Sequence, residues 1–239
     1  MTEELDGLLL VDKPSGMTSH DIVHQVRKRF QIKKVGHCGT LDPMATGLLM
    51  LVLGKATKVQ DLLMSEDKYY TGTLTLGTST STQDVEGEVT ARKDVPEFSS
   101  DDVRRAFDAF KGDFYQTPPM VSAIKVDGVP LYKLARQGKE VKREPRFVHV
   151  YLYDILGIEL PDITFSIKCS KGFYVRTYCH DIGDQLGCYG HLSSLRRTGS
   201  GNFSVDDSVT FADLFQIPDK AGLAQHVISL PSISRIRRQ

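Results

Sequence analysis

The 239-residue sequence lacks an excess of charge, closely spaced cysteines and any long apolar run. Thirty Lys and Arg balance thirty Asp and Glu, with 40% hydrophobic and 25% charged residues. That composition belongs to a globular chain and excludes a disordered or fibrous one. The longest apolar stretches, such as residues 47–54, stop well short of the roughly 18–20 residues a membrane span requires, so no membrane association is expected. The opening Met-Thr-Glu-Glu-Leu-Asp is acidic and has neither a secretory nor a transit-peptide pattern, which places the chain in the cytoplasm. Cys38, Cys169, Cys179 and Cys188 are scattered. A chain of this length needs no disulfide framework, and reduced thiols, buried or half-buried, are expected. A zinc site on Cys179, Cys188 and His191 would want more closely spaced ligand pairs, so no metal is expected. Also missing are a Walker A loop, a G-x-G-x-x-G after the first strand, a G-x-S-x-G elbow and an H-E-x-x-H pair. Nucleotide hydrolysis, dehydrogenase and zinc-protease chemistry lose support with them.

What is present is charge that segregates locally. Residues 24–40 carry five cations and no acid, residues 125–146 seven cations against three acids, and residues 168–203 five against two. Residues 84–113 carry nine acids against five bases. A basic face with an acidic back accounts for a zero total and suits an anionic partner.

The patterning predicts an α+β fold with a mixed, mostly antiparallel central sheet flanked by helices. Residues 7–11 read as a strand, and Thr18 with Asp21 as a capping box opening a helix with Ile22, Val23, Val26 and Phe30 on one face. Residues 48–53 read as a buried strand and residues 70–76 as a half-exposed one, with Tyr70, Gly72, Leu74 and Leu76 on one side. Ser99 and Asp102 open a second capped helix. Strands follow over 146–158, 163–170 and 173–176, then a helix from Thr177. One domain is expected over residues 1–230, with an insertion at about 112–146 and a basic tail at 231–239.

Between the first helix and the buried strand runs Gly36-His37-Cys38-Gly39-Thr40-Leu41-Asp42-Pro43-Met44-Ala45-Thr46-Gly47, too rich in Gly and too interrupted by Pro for a regular element. Its residues read as a structured loop carrying one acid, Asp42. This stretch closely resembles the G-H-x-G-T-L-D-P-x-A-T-G signature of TruB-type pseudouridine synthases, which make pseudouridine at position 55 of the tRNA TΨC arm. Four more stretches resemble the family in the same order: residues 10–19, Asp67-Lys68-Tyr69-Tyr70, residues 119–123 with 131–138, and residues 169–177. The resemblance covers about residues 7–215.

It implies a pseudouridine synthase catalytic fold and isomerisation of a flipped uridine without cofactor or metal. Asp42 matches the essential aspartate, acting as nucleophile or base on the sugar, and Arg176 the arginine that pairs with it. Tyr70 matches the tyrosine that lies against the uracil and assists proton removal from carbon 5. Tyr174 and Leu195 match residues lining the uracil pocket, and His37 the histidine that holds the RNA loop open. The insertion corresponds to the family's thumb, in which Lys133, Arg136 and Lys139 would meet RNA phosphates. The partner implied is the tRNA T-arm stem-loop, bound by a monomer. Many relatives continue into a C-terminal RNA-binding domain, which the sequence reading expects to be missing here. Two other readings stay in play: an RNA chaperone of the same fold, and a component of a guide-RNA complex.

Overall fold

The computed structural model describes residues 4–122, 124–126, 128–135, 137–139 and 141–237. In chain order the elements are β1 (Gly7–Lys13), α1 (Ser19–Arg29), β2 (Val35–His37), β3 (Thr46–Leu53), α2 (Gln60–Met64), β4 (Lys68–Leu76), β5 (Thr78–Thr80), β6 (Val89–Arg92), α3 (Ser100–Asp108) and β7 (Gly112–Gln116). They continue as β8 (Lys125–Val126), β9 (Val129–Pro130), α4 (Leu131–Ala135), β10 (Arg146–Glu159), β11 (Asp162–Cys169), α5 (Val175–Gln185) and β12 (Gly190–Ser200). β13 (Phe203–Ser204), β14 (Val209–Thr210), α6 (Phe211–Leu214), α7 (Lys220–Ala224), β15 (Val227–Ile228) and α8 (Leu230–Ile236) complete the chain. Where the sequence reads as one domain, the chain folds as two compact units, Met1–Tyr70 with Arg196–Gln239, and Thr71–Leu195. Among the described residues, no helix is long and apolar enough to cross a membrane.

In the first unit β1 runs antiparallel to β3, from Gly7 opposite Leu53 to Lys13 opposite Gly47. β14 pairs parallel with β1, β2 antiparallel with β3, and Arg196 and Arg197 of β12 lie parallel to Thr46 and Gly47. Leu8, Leu10, Leu48, Met50 and Val52 alternate along β1 and β3 and bury one face against Ala56, Leu63, Phe203 and Ile233. Helix α1 starts as expected. The Thr18 hydroxyl accepts the Asp21 N–H and the Asp21 carboxylate accepts the Thr18 N–H, which satisfies two donors the helix itself leaves open. Ile22, Val23 and Val26 are buried, and Arg27, Lys28 and Arg29 crowd the C-terminal turn. The segment expected as a basic tail is instead folded over its described part. Ser229 caps α8, Ile233 is buried and Arg237 pairs with Glu66. Arg238 and Gln239 lie outside the described residues.

In the second unit the strand order is β4-β11-β10-β7, and β10 is antiparallel to both neighbours. Phe107 of α3 and Tyr178 of α5 pack edge-on together and against Phe165 of β11. β1–β14 and β3–β12 pair parallel, whereas β1–β3, β1–β15, β2–β3, β5–β6, β7–β10, β8–β9, β10–β11 and β12–β13 pair antiparallel, the mixed, mostly antiparallel α+β pattern anticipated. Two expectations need correction. β7 is a paired strand of the sheet, with Gln116 opposite Arg146, so the insertion begins after Gln116 rather than at 112. Residues 173–176 form no strand, because helix α5 already begins at Val175.

Candidate active site

The first unit holds the loop that carries Asp42, and two buried cations pin it. Arg197 is 1% exposed. Its Nε donates to the Leu48 carbonyl at 2.7 Å and its Nη2 to the Gly39 carbonyl at 3.1 Å, so one guanidinium ties the two sides of the loop together. Lys13 is fully buried and its Nζ donates to the carbonyls of Pro14 (2.8 Å), Met17 (2.6 Å) and Pro43 (3.2 Å). An ammonium taken out of water is tolerated only with such partners. The Gly16 N–H also reaches Pro43 O, at 2.9 Å. On the other side of Asp42, the Leu41 N–H donates to Ser19 Oγ at 2.8 Å and that hydroxyl donates back to Leu41 O at 3.2 Å. Both chain neighbours of Asp42 are thus anchored to the Lys13–Met17 turn and the start of α1. The half-buried Asp42 sits on a backbone with little freedom.

Two glycines of the signature have a physical reason. Gly39 and Gly47 adopt φ of +94° and +96°, values that L side chains rarely adopt. A Cβ at Gly47 would also collide with the backbone of Arg197. His37 ends β2, and its carbonyl accepts from Gln60 Nε2 at 3.0 Å. Burial first, and the Arg197 charge second, hold the His37 imidazole below its ordinary value, so it is neutral at pH 7. Burial pushes the Cys38 thiol up to about 12, which removes it as a nucleophile. Asp12 receives a two-pronged contact from Arg196, at 3.0 and 2.7 Å. Tyr70 is half-buried on β4, next but one to Lys68, whose Nζ donates to Glu66 O at 2.6 Å.

The second unit presents Arg176 and Tyr174 on the first turn of α5. The Gln116 side chain pairs with the Tyr174 backbone in both directions: its Nε2 donates to Tyr174 O at 3.1 Å and its Oε1 accepts the Tyr174 N–H at 2.8 Å. That amide occupies the groups a strand neighbour would have taken, and the helix starts one residue later. Arg176 is 3% exposed. Nη1 donates to Thr82 O at 2.8 Å, Nη2 to Val121 O at 2.7 Å, and Nε lies 3.5 Å from Asp84 Oδ2. Asp84 is equally buried and its other oxygen accepts the Thr82 hydroxyl and the Glu86 N–H. The backbone of Gln83 and Val85 is bonded to Leu192, on the strand that carries the buried Leu195 three residues on. Lys133 and Lys139 are exposed on the insertion, whose root is closed by Arg143 donating to Pro118 O. Arg136 lies outside the described residues.

Sequence reasoning singled out Asp42, Tyr174 and Arg176 but missed groups that hold them or their loop: Lys13, Arg197, Gln116 and Asp84. Three of the four act on main-chain atoms, which leave no spacing signal. Asp84, in the turn Thr82-Gln83-Asp84-Val85-Glu86-Gly87, carried at most a turn signal.

Comparison with known proteins adds the following. Residues 27–175 match the family model for TruB family pseudouridylate synthase (N terminal domain), and residues 176–229 that for tRNA pseudouridylate synthase B C-terminal domain. A protein of Opitutus terrae named tRNA pseudouridine synthase B is 52% identical over 216 residues, 90% of each chain. Its namesake in Geobacter sulfurreducens is 45% identical over 94% of this chain and 74% of its own. Among solved structures, a chain of a Cbf5–Nop10–Gar1 complex superposes with a TM-score of 0.76 at 28% identity, covering 97% of this chain and 62% of that one. A chain from an H/ACA RNP bound to a substrate RNA containing 2′-deoxyuridine gives 0.68 at 28% identity, over 89% and 53%. This chain therefore spans less than two thirds of the length of those two solved chains.

Proposed function

The chain belongs to the TruB family of pseudouridylate synthases, and from that premise we propose that it converts uridine to pseudouridine at position 55 in the T arm of tRNA. The observation that carries this is the Asp42 loop, matched residue for residue to the family signature and clamped on both sides of the carboxylate by Lys13 and Ser19. A rigidly held carboxylate is what chemistry at a sugar carbon needs. The bond between uracil N1 and the ribose C1′ breaks, the base turns, a bond forms between C5 and C1′, the C5 proton leaves to solvent and N1 takes up a proton in its place. Atoms balance without any redox partner.

Asp42, ionised, attacks or deprotonates the sugar. Tyr70 lies against the uracil and relays the C5 proton, while Tyr174 and Leu195 line its pocket. Arg176 is the cation of the catalytic set, held in one orientation by Thr82, Val121 and Asp84. His37, kept neutral by burial and by Arg197, holds the loop from which the target base has flipped.

The test is tritium release from tRNA transcript labelled at uridine C5, for wild type beside Asp42→Asn. Release by wild type alone, with both proteins binding tRNA, is expected. Binding without any release by wild type would replace the synthase reading with that of an RNA chaperone.

A further inference from the structure

Two concavities in the first unit adjoin one another and share Gln31, Ile32 and Lys33. One, of about 530 Å³, is bordered by Arg27, Lys28 and Lys33. The other, of about 370 Å³, is bordered by Lys33, Lys34, Lys55, Lys58 and Lys220. In a chain with no net charge, seven cations meet here, and among the described residues Glu4 and Asp6 are the carboxylates paired with them. The Lys33–Glu4 pair, at 3.9 Å, is exposed and weakly held, whereas Asp6, half-buried, meets Lys55 Nζ at 3.2 Å and also accepts the Lys55 N–H at 2.7 Å, which leaves the Lys55 ammonium itself exposed to another anion. Lys55 and Lys220 both draw the Asp6 carboxyl below its usual range, which places Lys220 in the same field. No ion pair engages Arg27, Lys28, Lys34, Lys58 or Lys220 among the described residues.

The position of this patch follows from two elements that start at the Asp42 loop and end at the cations. Helix α1 begins at Ser19, bonded to Leu41, and reaches Arg27, Lys28 and Arg29 after eleven residues, roughly 16 Å at 1.5 Å per residue. Strand β3 leaves the loop at Thr46 and after eight residues delivers the chain to Lys55 and Lys58, roughly 25 Å at 3.3 Å per residue. Gln31, at φ +51°, turns the chain out of α1 so that Lys33 and Lys34 close the gap between the two ends. The left-handed turn therefore has a use: it gathers two separate runs of lysine into one field.

We propose that this patch is a second RNA-backbone site, which binds phosphates of the tRNA body outside the T-arm stem-loop. The inference rests on the tRNA reading above. Seven cations against a single ring, that of His24, and no Phe, Tyr or Trp among the described residues lining either concavity suit phosphodiester groups rather than a run of stacked bases. Their remove from Asp42 assigns them phosphates several nucleotides away from the target.

The experiment uses the full chain with Lys28, Lys34 and Lys58 changed together to Ala, none of which belongs to the catalytic set. Binding is measured against salt concentration for whole tRNA transcript and for an isolated T-arm stem-loop, beside tritium release at saturating tRNA. With whole tRNA, the slope of log affinity against log salt flattens by about 2, at about 0.7–0.9 per lost phosphate contact, and affinity falls at least tenfold. Stem-loop affinity and turnover at saturation hold within twofold. An unchanged slope with whole tRNA, or an equal loss with the stem-loop, overturns the proposal. If wild type binds but never releases tritium, the synthase reading fails while the binding comparison still decides the patch.

Discussion

Lys13 and Arg197 show how the loop that carries Asp42 is held by side chains buried away from solvent. Each is a buried cation whose donors end on carbonyls beside or around Asp42. Removing either leaves main-chain oxygens unpaired in the interior, at about 1–3 kcal/mol for each, and lets the carboxylate wander. A misplacement of about 1 Å at a reacting group is worth on the order of a hundredfold in rate. Lys13→Met should therefore lower the single-turnover rate of pseudouridine formation by about that factor while tRNA affinity changes little. Arg197→Lys should do less damage than Arg197→Met, because an ammonium reaches one carbonyl but not both. If Lys13→Met reacts at the wild-type rate while still binding tRNA, the anchored-loop account is wrong. Neither role was legible in advance. The sequence marks Lys13 as a letter of a motif and Arg197 as one of two adjacent arginines, but the acceptors are carbonyls 30 and roughly 150 residues away, and a carbonyl has no side chain to recognise.

Elements whose signals are local were readable, and those defined by distant pairing were not. α1 announced itself through Thr18, Asp21 and a 3.6-residue apolar rhythm, and its cap is the one expected. Residues 173–176 looked like a strand because Phe, Tyr and Val favour one. The helical spacing of Val175, Tyr178, Cys179 and Ile182, all buried, wins because Gln116 satisfies the Tyr174 backbone from the side. β12 escaped altogether. Its Ser-Ser-Leu-Arg-Arg-Thr-Gly-Ser run has no apolar alternation, and it becomes a strand by lying along β3, where Arg197 meets Gly47. The segment between β7 and β10 stands out in the sequence by its charge, with seven cations against three acids over residues 125–146. Its carbonyl at Val121 accepts from Arg176, so this segment is joined at its root to the buried arginine of α5. Changing Lys133, Arg136 and Lys139 together to Ala should flatten the salt slope of tRNA binding by about 2. The loss should be the same for whole tRNA and stem-loop, unlike that of the α1 patch. A salt slope equal to wild type would take the insertion out of the phosphate contacts.

The stability of the whole chain should carry a pH signature in which opposing groups can be separated. Capping lowers Asp21 and Asp102, first through the Thr18 and Ser99 hydroxyls respectively. Their contribution is present above the unfolded value of 3.8 and is lost as pH falls through their folded values. His37, depressed by burial, likewise stabilises the fold above its unfolded value and withdraws that support as pH falls below it. Asp181 works the other way. Burial on α5 raises its carboxyl to about 6, with Asp184 adding to the shift and His180 opposing it. The cost of ionising Asp181 in the fold is fully present above about pH 6, shrinks between there and about pH 4, and vanishes once both folded and unfolded forms are protonated. Asp181→Asn keeps the shape and removes that cost, leaving the capping and His37 contributions common to both proteins. Discounted for solvent screening to about 1 kcal/mol, the gain for a chain of this size is about 2–4 °C in Tm at neutral pH. Thermal unfolding of the two proteins between about pH 4 and pH 7.5 should show the difference closing as pH falls. A constant offset across that range, or a variant less stable than wild type at neutral pH, would mean that Asp181 is ionised in the fold at no cost.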